Sequence, residues 1–115
     1  MTDHEFARLF EDVVKHERAT LINKARDYGN AKRRLWNFYR GAEIVGTTPA
    51  LTLWGFLGKH LTSISDMCHG KPADRDTIRE KIGDARNYLV LLEALLVEKL
   101  RPKIIKPPEP AAKDV

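Results

Sequence analysis

The sequence predicts an all-α protein: a four-helix bundle with a Pro-rich C-terminal tail, assembled as a homo-oligomer. Three observations carry this expectation. Four stretches place apolar residues three and four apart, the spacing of one helix face. Capping residues and glycines separate those stretches. The last stretch, residues 89–97, is apolar nearly all round, and in so small a bundle no helix is fully enclosed by the other three, which predicts self-association.

The chain has 115 residues, enough for one hydrophobic core and too few for two. It divides on sequence into a helical domain, 1–101, and a tail, 102–115. Hydrophobic content of 43% with 31% charged residues describes a soluble globular protein rather than a disordered one. No apolar run reaches the ~18 residues of a membrane span, and the N-terminus has no signal-peptide core. A cytoplasmic protein without membrane contact is expected. The single Cys68 excludes an intramolecular disulfide and a cysteine-rich zinc site. Twenty Lys and Arg against sixteen Asp and Glu give +4, a mild bias toward anionic partners. That bias is too weak for duplex DNA, so nucleic acid is a less favoured partner than a small nucleotide.

Thr2-Asp3-His4-Glu5 is a capping box, with Thr at the cap and Glu three residues on. Phe6, Leu9, Phe10, Val13, Val14 and Leu21 follow at helical spacing and predict a first helix over about 3–26. Asp27-Tyr28-Gly29-Asn30 then turns the chain. Gly29 can adopt φ > 0 to end one helix, and Asn30 can cap the next. The second helix is expected from Ala31 to about Val45, ending at Gly46. Thr47-Thr48-Pro49 opens a third, with a capping hydroxyl and a proline in the first turn. Its stripe is Leu53, Leu57, Leu61, Ile64 and Cys68, flanked by Trp54 and Phe56, and Gly70 stops it. After a loop at 70–76, Thr77-Ile78-Arg79-Glu80 reads as a second capping box opening the fourth helix. Pro102 ends that helix, and Pro107, Pro108 and Pro110 mark an extended tail.

The second helix carries the strongest chemical signal. Lys32, Arg33, Arg34 and Arg40 alternate with Trp36, Asn37 and Tyr39. Lys32, Trp36 and Tyr39 with Arg40 are expected on one face, and Leu35, Phe38, Ala42 and Val45 on another. Cations interleaved with aromatics suit a ligand that is anionic and flat, as a nucleotide is. The helix N-terminus adds free N–H groups for a phosphate. A solvated basic face with its aromatics lodged between helices is the competing account.

On the fourth helix Glu80, Asp84 and Asn87 form one polar line at i, i+4 and i+7. Two carboxylates one turn apart can hold a divalent cation, or pair with Lys59, His60 or Arg34, and salt bridges are the favoured account. His60, beside Lys59, could serve as a general acid/base, a phosphate ligand or a structural hydrogen-bonder. No nucleophile constellation, P-loop, GxGxxG or HExxH occurs.

Three stretches together carry a resemblance. They are Asp27-Tyr28-Gly29-Asn30 with Leu35 and Asn37-Phe38; Leu53-Trp54-Gly55-Phe56 with Lys59-His60 and Ser63-Ile64; and Glu80-Lys81-Ile82-Gly83-Asp84-Ala85 with Asn87-Tyr88-Leu89. In order and spacing, over roughly residues 20–98, the chain resembles small all-helical bacteriophage proteins with a DYGN corner, among them the nucleotide-modification-associated domains. That resemblance implies a helical domain concerned with nucleotides, acting in the cytoplasm of an infected bacterium. The fourth helix is also similar to that of MazG-like all-α nucleoside triphosphate pyrophosphohydrolases, which implies Mg²⁺ held by Asp66, Glu80 and Asp84. The match departs from that pattern at Lys81, which stands three before Asp84 where an acid is required, and the third helix offers Asp66 but no Glu. A cluster that neutralises a triphosphate needs several converging carboxylates.

The basic and aromatic half of such a site is rich and the acidic half is depleted. The expected function is therefore capture of a phosphate-bearing nucleotide, a bacterial immune signal, without hydrolysis and without a cofactor. Arg33, Arg34, Arg40 and Lys59 would hold phosphates, and Trp36 or Tyr39 would stack on a base. Asn37, Asp84 or Asn87 would read the base edge, with Tyr28, Asn30 and His60 completing the site. Two alternatives remain: a MazG-like Mg²⁺-dependent pyrophosphohydrolase, and an interaction protein whose basic face binds a host protein or nucleic acid.

Overall fold

A computed structural model describes residues 1–23 and 35–100. The described residues form four α-helices and a short π-helical turn, with no strand among them. They divide into two units, 1–23 and 35–100.

The first unit is α1, Asp3–Arg18, followed by the π-helical turn Ala19–Asn23. Its capping box forms as the sequence predicts. Thr2 Oγ1 accepts from the Glu5 N–H at 3.1 Å, and Glu5 Oε2 accepts from the Thr2 N–H at 2.7 Å. Asp3 and Glu5 in the first turn and Lys15, His16 and Arg18 in the last complement the helix dipole. The expected helix over 3–26 is α-helical only to Arg18, and residues 24–26 lie outside the described range. Its apolar stripe is not fully covered: α1 has no buried residue, Phe6 and Phe10 are 60% and 55% exposed, and Leu9, Val13 and Leu21 are half-buried.

The second unit comprises α2 (Trp36–Val45), α3 (Pro49–Cys68) and α4 (Arg75–Glu98). Gly46 ends α2 at φ +82°, where the Gly46 and Thr47 amides both donate to the Ala42 carbonyl, at 2.8 and 3.0 Å. Thr48 caps α3, its Oγ1 accepting from the Leu51 N–H at 3.2 Å, with Pro49 in the first turn. Gly70, at φ +104°, follows α3, and the Lys71 amide returns to the Asp66 carbonyl at 3.0 Å.

The cap of α4 is Asp74, not Thr77. Asp74 Oδ1 accepts from the Thr77 N–H at 2.8 Å, so the helix begins two residues before the predicted box. A carboxylate is the stronger acceptor for an orphan first-turn amide, and it displaces the hydroxyl cap one turn later.

Phe38, Leu53 and Leu95 form the core, one from each helix, with Leu35, Tyr39, Tyr88, Leu91 and Leu92 packed against them. Full burial of Leu53 contributes roughly 1.5–3 kcal/mol. A Cβ at Gly41 would stand 3.1 Å from Thr52 Cγ2, so α2 and α3 approach closely there. The faces differ from expectation in two respects. Tyr39 lies on the packed side of α2, whereas Val45 is exposed. On α4, Leu95 is buried but Leu89, Val90, Leu96 and Val97 remain exposed.

Candidate functional site

Tyr28, Asn30, Arg33 and Arg34, four residues of the predicted binding set, lie outside the described residues, as does Gly29. The other eight are placed, and α2 supplies less of the site than the sequence suggests. Trp36 and Asn37 are exposed in the first turn of α2. The Tyr39 hydroxyl donates to the Glu98 carboxylate, tying the start of α2 to the end of α4. Its ring packs against the core. Tyr39 is thus a packing residue, and the expected stacking face of α2 loses one of its aromatics to the interior. Arg40 Nη1 lies 3.5 Å from Glu43 Oε1, an exposed i, i+3 pair.

A more concentrated arrangement sits where α3 meets α4. His60 Nδ1 is 3.8 Å from Asp84 Oδ2, and the His60 ring centroid is 4.9 Å from that of Tyr88 with planes 36° apart. Tyr88 meets Phe38 edge-on at 6.3 Å, and Phe38 meets Phe56 at 6.0 Å. The rings form a continuous series from the core to His60 at the rim. Core packing on Phe38 thereby fixes Tyr88, and Tyr88 supports the imidazole. The His60 and Asp84 side chains are 27% and 46% exposed, so both can meet a ligand. Lys59 is exposed beside His60.

Asn87, one turn beyond Asp84, is only 9% exposed, and its Oδ1 has no hydrogen-bond partner. A buried acceptor left unsatisfied costs about 1–3 kcal/mol, and the atom is closed off from solvent. The sequence reading selected His60, Asp84 and Asn87 but missed Tyr88. The available signal was its i+4 spacing from Asp84, which puts an aromatic beside a carboxylate on one face.

The metal set of the hydrolase alternative does not assemble. Among the described residues no three of His, Cys, Asp and Glu converge to hold a metal ion, so Asp66, Glu80 and Asp84 are not brought together. Among those residues, too, no helix is long and apolar enough to cross a membrane. No protein-family model matches the chain, and no curated protein or solved structure matches it.

Proposed function

We propose that the protein binds a phosphate-bearing nucleotide and holds it without hydrolysis. The observation that carries this reading is the cluster of His60, Asp84 and Tyr88: an aromatic pair at the rim beside a partly exposed carboxylate. A flat base suits the ring pair, and the amino group of a base edge suits the Asp84 carboxylate. Lys59, exposed and adjacent to His60 in the sequence, supplies counter-charge for phosphate. The lack of a converging acidic triad among the described residues favours binding over Mg²⁺-assisted phosphoryl chemistry.

The resemblance to phage helical proteins supports a further step, that the ligand is a signalling nucleotide of bacterial immunity, sequestered in the host cytoplasm. The exposed apolar stripes of α1 and of Leu89, Val90, Leu96 and Val97 favour a bundle completed by self-association. The test is direct: incubate the protein with a nucleotide panel and Mg²⁺, remove unbound material, denature, and analyse what is released. Intact nucleotide is the expected result. Degraded nucleotide would establish the hydrolase alternative. Release of nothing, with retention on long nucleic acid or a host protein instead, would establish an interaction protein.

A further inference from the structure

We propose that the outer face of α3 is a two-fold contact, on which α3 of a second copy of this chain lies antiparallel. The proposal rests on the self-association read from the exposed apolar stripes and is independent of nucleotide binding.

α3 carries two seams. Leu53, Leu57, His60 and Ile64 follow at steps of four, three and four; the two leucines are buried and the other two half-buried. Leu51, Trp54, Gly58, Leu61 and Ser65 follow at steps of three, four, three and four, the alternation of a coiled-coil seam. All five are exposed, with Leu51, Trp54 and Leu61 at 59%, 55% and 42%. α2 and α4 both pack on α3 and leave this second seam open over about 20 Å of helix. The seam is suited to being covered. A Cβ at Gly58 would meet nothing within 4 Å, so another backbone can come close there. Thr62, one turn on, donates its hydroxyl to the Gly58 carbonyl at 3.1 Å, and Ser65 Oγ lies 3.4 Å from His69 Nδ1. Covering the seam therefore strands neither hydroxyl.

Charge and size select a second copy as the occupant, and the antiparallel direction. Asp66 is the only carboxylate of α3 and lies in its last turn, where its charge opposes the dipole of its own helix. A two-fold axis beside Gly58 carries Asp66 level with Ala50 of the second copy, in the first turn of that helix, where the dipole is positive. Parallel pairing would instead bring two Asp66 carboxylates together at two negative helix ends. Size follows the same symmetry. The bulky Leu51 and Trp54 lie toward the N-terminus of the seam and the small Ser65 toward its C-terminus, with Gly58 between. The same axis sets Leu51 level with Ser65 of the second copy, Trp54 level with its Thr62, and glycine on glycine. Each of these bulky side chains then meets a small one. The stripe of α1, Phe6, Leu9, Phe10 and Val13, is bulky throughout and offers no such gap. Lys59 lies beside the seam, and its long side chain stays in water.

The test is analytical ultracentrifugation of the full chain, which should show a dimer at micromolar concentration. Gly58→Leu should weaken that dimer roughly tenfold or more, because a side chain enters the point of closest approach. It should not lower helix content, since leucine is the better helix former and its Cβ has open space. Cross-linking in a Cys68→Ser background reads the direction. Leu51→Cys mixed with Ser65→Cys should give a mixed disulfide, whereas Leu51→Cys alone should not cross-link to itself. A dimer untouched by Gly58→Leu and dissociated by Leu96→Asp or Phe10→Asp would overturn the α3 contact while leaving self-association intact. Cross-linking of Leu51→Cys to itself, without the mixed disulfide, would overturn the antiparallel arrangement. A monomer at every concentration would overturn both the contact and self-association.

Discussion

His60 Nδ1 faces Asp84 Oδ2 across the α3–α4 contact at 3.8 Å, too far for a hydrogen bond and within ion-pair range when the imidazole is protonated. A pair this exposed contributes little to folding, on the order of 0.2–1 kcal/mol. The Asp84→Ala variant should therefore melt within a few degrees of the native protein while losing nucleotide affinity tenfold or more. Thermal melting and calorimetry on the same preparation decide the matter. A large fall in melting temperature with unchanged affinity would make the pair a structural contact.

Tyr39 and Glu98 behave in the opposite way. The hydroxyl of Tyr39 donates to a carboxylate 59 residues away in the chain and closes α2 onto α4. Tyr39→Phe keeps the ring and removes that bond, so it should destabilise the protein by about 1–2 kcal/mol and leave nucleotide affinity unchanged. A loss of affinity without a loss of stability would return Tyr39 to the binding face.

Much of this fold is legible in local chemistry. Thr2 with Glu5, Gly46, and Thr48 with Pro49 each announce a helix end because capping is a matter of three or four neighbouring residues. The Asp74 cap was the exception, since Asp74 and Thr77 are both competent and the carboxylate prevails only by its strength as an acceptor. Tyr39 shows a different limit. Helical spacing placed it with Trp36 and Arg40, but its side is set by Glu98, at the far end of another helix, which no local pattern encodes. Asp84 and Asn87 stood out as a polar line on an apolar helix. Tyr88 joins that line by helical spacing alone, and His60 was one of three cations that could meet it; which of the three does so depends on how α3 crosses α4.

Two glycines of the same unit should respond oppositely to a side chain. Gly46 sits at φ +82°, where a β-branched residue is strained, so Gly46→Val should cost on the order of 1–2 kcal/mol. Gly55 lies inside α3, and a Cβ there would meet nothing within 4 Å. Gly55→Ala should stabilise by roughly 0.5–1 kcal/mol through helix propensity. Chemical denaturation gives both values, and a destabilising Gly55→Ala would mean that another surface approaches α3 at that point.

Asp74 gives the N-terminus of α4 an acid-sensitive element. The Thr77 amide, and then its hydroxyl, hold the Asp74 carboxyl below its ordinary value of 3.8. A group lowered on folding stabilises the native state above its unfolded pKa and loses that contribution as pH falls through the folded one. Asn at the same position still caps but does not titrate. Any advantage of the native protein over Asp74→Asn at neutral pH should shrink as pH drops below 3.8. Parallel melting curves across that range test it, and a constant difference would show that the cap bond does not distinguish the two protonation states.

Asn87 separates stability from binding most sharply. Its Oδ1 is buried and unsatisfied, a condition that destabilises the folded protein by about 1–3 kcal/mol relative to an apolar side chain of the same shape. Leu matches Asn closely in size and branching, so Asn87→Leu should raise the melting temperature. The Oδ1 atom is closed off from solvent, so the same substitution should leave nucleotide affinity unchanged. Thermal melting and calorimetry on the one variant test both, and a destabilising Asn87→Leu would mean that Oδ1 has a partner in solution.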